Sequence, residues 1–130
     1  MEFLNVIVAA VAGFAFGAVW YMSLAKPWAK AAGIAVDENG KPIEDGVTPY
    51  IMAGFAMLLV AGMMRHVFVL GGVDSFGEGL VSGLGIGLFF ISPWIMINNA
   101  YCGRPFTLTV IDGGYATFGC AIIGAVLTLF

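Results

Sequence analysis

The sequence predicts an all-α integral membrane protein, a bundle of four transmembrane helices. Of its 130 residues, 61% are hydrophobic and only 10% are charged, and the mean hydropathy is +1.00. Average soluble domains are about 45–50% apolar and about 25% charged. A chain of 13.7 kDa therefore has too few charges to cover a surface exposed to water. Its apolar residues also form four long stretches without a charged residue.

These uncharged stretches set the number of helices. A transmembrane helix needs about 20 apolar residues, because the hydrocarbon layer is about 30 Å thick and each residue rises about 1.5 Å. We predict one transmembrane domain, residues 1–130, with spans at about 3–24, 49–70, 76–97 and 113–130. The stretches do not alternate apolar and polar residues with a period of two. Helices rather than barrel strands therefore satisfy the backbone in lipid.

The first span opens directly after Met1-Glu2 and is apolar as far as Ala25. A secretory signal has a basic start and a shorter apolar core, so we expect this helix to remain attached. The soluble segment that follows, about residues 25–47, is predicted to be a loop. It contains Asn39-Gly40, which is a tight-turn signal.

Start and stop signals mark two further spans. Thr48 places a capping hydroxyl before Pro49, which suits the first position of a helix. Gly71-Gly72 is predicted to end the second span. Asp112 is predicted to cap the fourth span, where its carboxylate would meet the positive end of the helix dipole.

The basic residues predict an orientation. With four spans, the first and third loops share one face, and both termini and the second loop share the other. Four of the five basic residues lie on the first of these faces: Lys26, Lys30, Lys41 and Arg104. The positive-inside rule then places these loops in the cytoplasm, with both termini outside. Cys102 and Cys120 are expected to be free thiols.

Small residues predict where the helices touch, because close backbone contact carries much of helix association in lipid. The candidate packing residues lie on three spans: Gly13 and Gly17 on the first, Gly79, Gly83 and Gly87 on the third, and the stripe Ala116, Cys120, Gly124 and Thr128 on the fourth. We predict that they pack the bundle itself. Self-association through one such face is the alternative.

The polar and aromatic residues are concentrated at one end of the predicted bundle. All three Trp and all four Tyr fall toward the face of the first and third loops. The candidate site comprises Trp20, Tyr21, Trp94, Asn98, Asn99, Arg104, Asp112 and Tyr115. We interpret it as a polar pocket or docking surface for a partner or lipid headgroup, or as an anchoring belt. An Arg104–Asp112 pair would hold down residues 105–111, which are too few to span.

Arg65 and His66 lie about five residues inside the predicted end of the second span. An arginine in a membrane is costly and indicates a functional site by default. A rise of about 7.5 Å is nevertheless within reach of a side chain that snorkels to the interface. Asp74 and Glu78, just past the turn, are its expected partners. No further ligand accompanies His66 at metal-site spacing, so no metal site is predicted.

The sequence contains no phosphate loop, nucleophile elbow or redox CxxC motif, and its net charge of −3 disfavours nucleic acid as a partner. We therefore expect no catalytic residue and no cofactor. The first hypothesis is a non-catalytic accessory or scaffold subunit, bathed in membrane lipid, that packs as a homo-oligomer or against a larger membrane complex. The alternative is a small oligomeric transporter or channel for a polar solute, lined by Asn98, Asn99 and Asp112. A membrane enzyme would have to use Asp112 with Tyr115.

Three sequence segments carry a family resemblance. They are Glu2-Phe3-Leu4-Asn5-Val6, then Gly17-Ala18-Val19-Trp20-Tyr21 followed by Trp28, and then Asn98-Asn99 to Arg104-Pro105 leading into Asp112-Gly113-Gly114-Tyr115. With these segments the chain resembles the bacterial family catalogued as domain of unknown function 1761, over most of its length except the first loop. The resemblance implies a small four-helix integral membrane protein and implies no particular activity.

Overall fold

A computed structural model describes residues 2–40, 43 and 46–130. Its helices are α1 (Glu2–Ser23), α2 (Ala25–Ala32), α3 (Thr48–Gly71), α4 (Phe76–Ile86), α5 (Ser92–Tyr101) and α6 (Phe106–Leu127), with a π-helix at Gly87–Ile91 that joins α4 to α5. Within these described residues, four helical segments are long and apolar enough to cross a membrane: Phe3–Ser23, Thr48–Gly71, Phe76–Tyr101 and Phe106–Leu127. The predicted all-α bundle of four spans is therefore confirmed.

α6 is the central helix of the bundle. It packs against α1, α3, α4 and α5. The buried share is 56% for the span formed by α6, against 28% for the first span, 17% for the second and 11% for the third. The core around α6 is formed mainly by Ala9, Ala10, Ala61, Met64, Phe68, Cys120, Ile123 and Leu127. The other three spans leave most of their apolar surface to the bilayer.

The third span crosses α6 with its backbone in close contact. A Cβ atom added at Gly79, Gly83 or Gly87 would overlap the backbone carbonyl oxygen of Gly124, Cys120 or Ala116, respectively. The glycines of the third span therefore lie against the small-residue stripe of α6. On α1, a Cβ at Gly13 would lie 3.0 Å from Cδ1 of Ile123, and one at Gly17 would lie 2.6 Å from Oη of Tyr115. All five predicted packing glycines thus face a neighbouring helix of the same chain.

The fourth span begins at Phe106 rather than near residue 113. Pro105 has an extended backbone (φ −67°, ψ 153°) and is the N-cap residue of α6. Residues 106–111 are uncharged, and they form the first turns of the spanning helix rather than an interfacial stretch. Asp112 consequently lies inside α6, about 9 Å along its axis from Phe106. The prediction that Asp112 caps this helix is wrong.

The ends of the other helices follow the predictions in part. α3 begins at Thr48 with Pro49 in its first turn, but Val47 is the N-cap residue and no side chain caps the helix. The third span reaches Tyr101, beyond the predicted residue 97. Gly72 has φ 70° and ends α3 in the left-handed conformation that glycine adopts readily, as predicted.

The predicted first loop, residues 25–47, is partly helical. α2 occupies its first eight residues, buries Ala29 and Ala31, and packs against α1 and α6. Asn39-Gly40 forms a turn, in which the Gly40 N–H donates to the carbonyl oxygen of Asp37 at 3.0 Å. Lys41, which contributed to the charge argument for orientation, lies outside the described residues.

Candidate functional site

The centre of the candidate site is a hydrogen bond between α1 and α6. Tyr21 donates its Oη proton to Oδ1 of Asp112 at 2.6 Å. Both side chains are half-buried, and the short distance is typical of a hydroxyl that donates to a carboxylate. Ionisable residues inside a span are rare, and they almost always face the interior of the bundle and have a partner there. Asp112 satisfies both conditions.

Two more aromatic side chains join the same helices. Trp20 donates from Nε1 to the carbonyl oxygen of Ile111 at 2.9 Å, and Tyr115 donates from Oη to the carbonyl oxygen of Gly13 at 3.3 Å. The rings of Tyr21 and Tyr115 meet edge to face, with centroids 5.3 Å apart. Trp20, Tyr21, Asp112 and Tyr115 therefore form one α1–α6 polar group. The hydrogen bonds of these four residues are made to other groups inside the bundle.

Tyr115 lies deeper than the sequence suggested. Because α6 starts at Phe106, Tyr115 is about 14 Å along the helix, near the middle of a hydrocarbon layer about 30 Å thick. Tyr115 is the tenth of the 22 residues of α6, so it still lies in the half of that helix nearer the first and third loops, but well inside the span. The α1–α6 polar group therefore extends from the interface toward the bilayer centre.

A second polar group connects the π-helix to α6 and was not foreseen. Oγ of Ser92 lies 2.7 Å from the carbonyl oxygen of Gly87, 2.9 Å from that of Gly113 and 3.2 Å from Oγ1 of Thr117. The backbone N–H of Ser92 also donates to the carbonyl oxygen of Gly87, and this hydrogen bond closes the π-helical turn. The signal for this π-helix in the sequence is Pro93, because proline has no N–H to continue the α-helical hydrogen-bond pattern. π-Bulges of this kind occur frequently at functional sites.

The remaining predicted residues do not join the α1–α6 polar group. Trp94 is 69% exposed, and Asn98 is also exposed on the outside of α5. Asn99 donates from Nδ2 to Oγ1 of Thr109 at 3.2 Å and so ties α5 to the start of α6. The predicted site therefore divides into an internal part and an external part.

Arg104 is also separate from Asp112. A Cβ at Gly33, the residue that ends α2, would lie 2.7 Å from Nη1 of Arg104. Among the residues that the structure describes, no ion pair joins Arg104 to Asp112, whose hydrogen bond comes from Tyr21. The predicted Arg104–Asp112 pair is therefore wrong.

Four apolar spans around internal polar contacts place this chain in the class of helical membrane proteins. Across the described residues, no group of three His, Cys, Asp or Glu side chains could hold a metal ion. The chain belongs to the family described as Protein of unknown function (DUF1761), whose model matches residues 4–128. The resemblance found in the sequence is thus confirmed, over all six α-helices. No curated protein and no solved structure matches the chain.

Proposed function

We propose that this protein is a non-catalytic accessory or scaffold subunit of the bacterial inner membrane, which packs against itself or against a larger membrane complex. The observation that carries the proposal is the outer side of the third span. This span is only 11% buried, and the side chains that it exposes include Trp94 and Asn98. Tryptophan is enriched at the energetic centres of interfaces, and asparagine forms hydrogen bonds between membrane helices.

Open glycines on the same span support association there. A Cβ at Gly77 or Gly85 would meet nothing within 4 Å. Positions eight residues apart lie on one side of a helix, so the backbone of a second helix could approach along this line. The inner glycines of the span are already covered by α6, so these outer residues are the ones that remain for a partner.

We expect extraction in a mild detergent to give a defined assembly larger than the 13.7 kDa chain. The Gly85→Leu and Trp94→Ala variants should shift it toward the monomer, because they remove the close approach and the aromatic anchor. Size-exclusion chromatography with light scattering measures the change. Gly54→Leu, at an open position on α3, is the matched control and should leave the assembly intact. A dispersed monomer at native expression level would contradict the proposal.

We also propose that the first and third loops face the cytoplasm, on the support of Lys26, Lys30 and Arg104. Cys102 is exposed and Cys120 is buried, and both are free. We therefore expect a membrane-impermeant maleimide to label Cys102 in inverted inner-membrane vesicles but not in spheroplasts. Cys102→Ser is the control for residual labelling at Cys120. Labelling of Cys102 in spheroplasts would show that the first and third loops face the outside of the cell.

Transport of a polar solute is the second candidate function, and the position of Asp112 favours it. The structure places this carboxylate inside a span, whereas the sequence had placed it at the interface. Carriers place their substrate and ion sites near the bilayer midplane, and Asp112, about 9 Å into α6, lies part of the way toward it. The test is solute flux in proteoliposomes. A flux that is present with the original chain and lost in the Asp112→Asn variant would support transport over a purely associative role.

A further inference from the structure

Two cavities at the end of the bundle that carries the termini share Arg65 in their walls. The first has a volume of about 380 Å³ and lies between α1 and α3, lined by Phe3, Val6, Leu58, Gly62, Arg65 and His66. The second has a volume of about 260 Å³, and its polar lining is provided by Asn5, Arg65, Asp74 and Thr128. Binding sites for small ligands have volumes of about 300–1,000 Å³. The two cavities together are therefore large enough for part of a lipid.

The two cavities differ in depth and in polarity. The second includes Asp74, which follows the end of α3 and so lies near the membrane interface. The first continues along α3 to Leu58, about 20 Å from the end of that helix at Gly71, and is lined mainly by apolar side chains there. Polar groups at the interface with an apolar groove below them match the order of headgroup and tail in a phospholipid.

Asn5 provides a second and independent observation. Its side chain is only 5% exposed, and its Nδ2 donates to the carbonyl oxygens of Leu127 and Phe130 at 3.2 and 3.1 Å. Within the described part of the chain, its Oδ1 has no hydrogen-bond partner. A buried acceptor of this kind is normally satisfied in a native structure. A bound group that brings an N–H donor into the second cavity would satisfy it.

We propose that these cavities form one site for an aminophospholipid, a lipid whose headgroup carries a phosphate and a primary ammonium. Arg65 binds the phosphate, and its five N–H donors allow it to do so while it keeps contacts within the chain. Asp74 and Oδ1 of Asn5 accept hydrogen bonds from the ammonium. One acyl chain lies in the groove along Val6, Leu58 and Gly62. The opposite charges of Arg65 and Asp74 complement those of this zwitterionic headgroup.

Native mass spectrometry of the detergent-purified protein tests the proposal with three lipids of identical acyl chains. Phosphatidylethanolamine should be retained about tenfold more than phosphatidylcholine, which has no N–H donor, because a charge-assisted hydrogen bond is worth that factor or more. Phosphatidylglycerol, which lacks the ammonium, should also be retained less. Equal retention of all three lipids, or preference for phosphatidylglycerol, would overturn the proposal.

Two variants assign the selectivity to the site. Asp74 is exposed, so Asp74→Asn should leave the bundle folded and abolish the preference for the ethanolamine lipid. Arg65→Gln should reduce retention of all three lipids. Glu38→Gln is the matched control, because it removes one exposed carboxylate in the first loop at the opposite end of the bundle. If Asp74→Asn behaves like Glu38→Gln, the assignment of the ammonium to Asp74 is wrong.

Discussion

We expect Gly83→Ala to destabilise the bundle by about 3 kcal/mol or more, above the usual range of about 1–3 kcal/mol for an overpacked core. The added Cβ would overlap the carbonyl oxygen of Cys120 and would lie 2.9 Å from its carbonyl carbon and 3.1 Å from Cα of Ala121. These three atoms belong to the backbone, so no side-chain rotation can relieve the overlap. α4 and α6 would have to separate, which also weakens the contacts made at Gly79 and Gly87.

Reversible unfolding in mixed micelles, followed by circular dichroism, measures this loss. Gly54→Ala is the matched control, since its Cβ would meet nothing within 4 Å. Alanine favours a helix over glycine by about 0.8–1.0 kcal/mol, so this variant should be unchanged or slightly more stable. Equal stabilities of the two variants would show that α4 and α6 are not in close backbone contact.

The close contact between the third span and α6 could be predicted from the sequence only in part. Small residues at a spacing of four mark one side of a helix, and the sequence contains such a line on each of these spans. What the spacing cannot provide is the pairing of one line with the other. That choice depends on how the four helices fit together in three dimensions, and each line on its own is compatible with several neighbours.

The start of α6 shows why a local interpretation failed. The uncharged stretch that starts at Gly113 predicts that Asp112 caps the fourth span from outside. The structure satisfies that carboxylate with Tyr21, which is 91 positions earlier in the chain. Trp20 and the carbonyl oxygen of Ile111 are separated by the same interval. A partner so distant along the chain leaves no signal in the residues around Asp112. The sequence around Asp112 therefore resembles the start of a helix, although the residue makes a buried polar contact inside one.

The position of Arg104 depended on an element that the sequence did not indicate. Residues 25–47 contain a turn signal and several polar residues, so they were predicted to be a loop. α2 forms within them and ends at Gly33 beside the Arg104 side chain. α2 has only eight residues, fewer than the window of about 11–18 residues over which an apolar period is recognised. Without α2, Asp112 was the nearest available partner for this arginine.

We expect the Tyr21–Asp112 hydrogen bond to contribute about 1–2 kcal/mol of coupling energy, near the upper end of values measured between membrane helices. A double-mutant cycle of Tyr21→Phe and Asp112→Leu isolates this energy in the same unfolding assay. Tyr101→Phe is the matched control, because Tyr101 is 90% exposed at the end of α5 and lies outside the α1–α6 polar group. The cycle of Tyr101→Phe with Asp112→Leu should therefore be additive to about 0.5 kcal/mol.

Asp112→Asn separates the acceptor from the charge. Its amide oxygen can still accept the Tyr21 proton, so we expect a smaller loss of stability than for Asp112→Leu, by about 1 kcal/mol. Equal losses would show that the negative charge, rather than the hydrogen bond, stabilises the contact between α1 and α6. Additivity in the cycle of Tyr21→Phe with Asp112→Leu would show that the two side chains do not interact. In that case the 2.6 Å contact could not hold the two helices together.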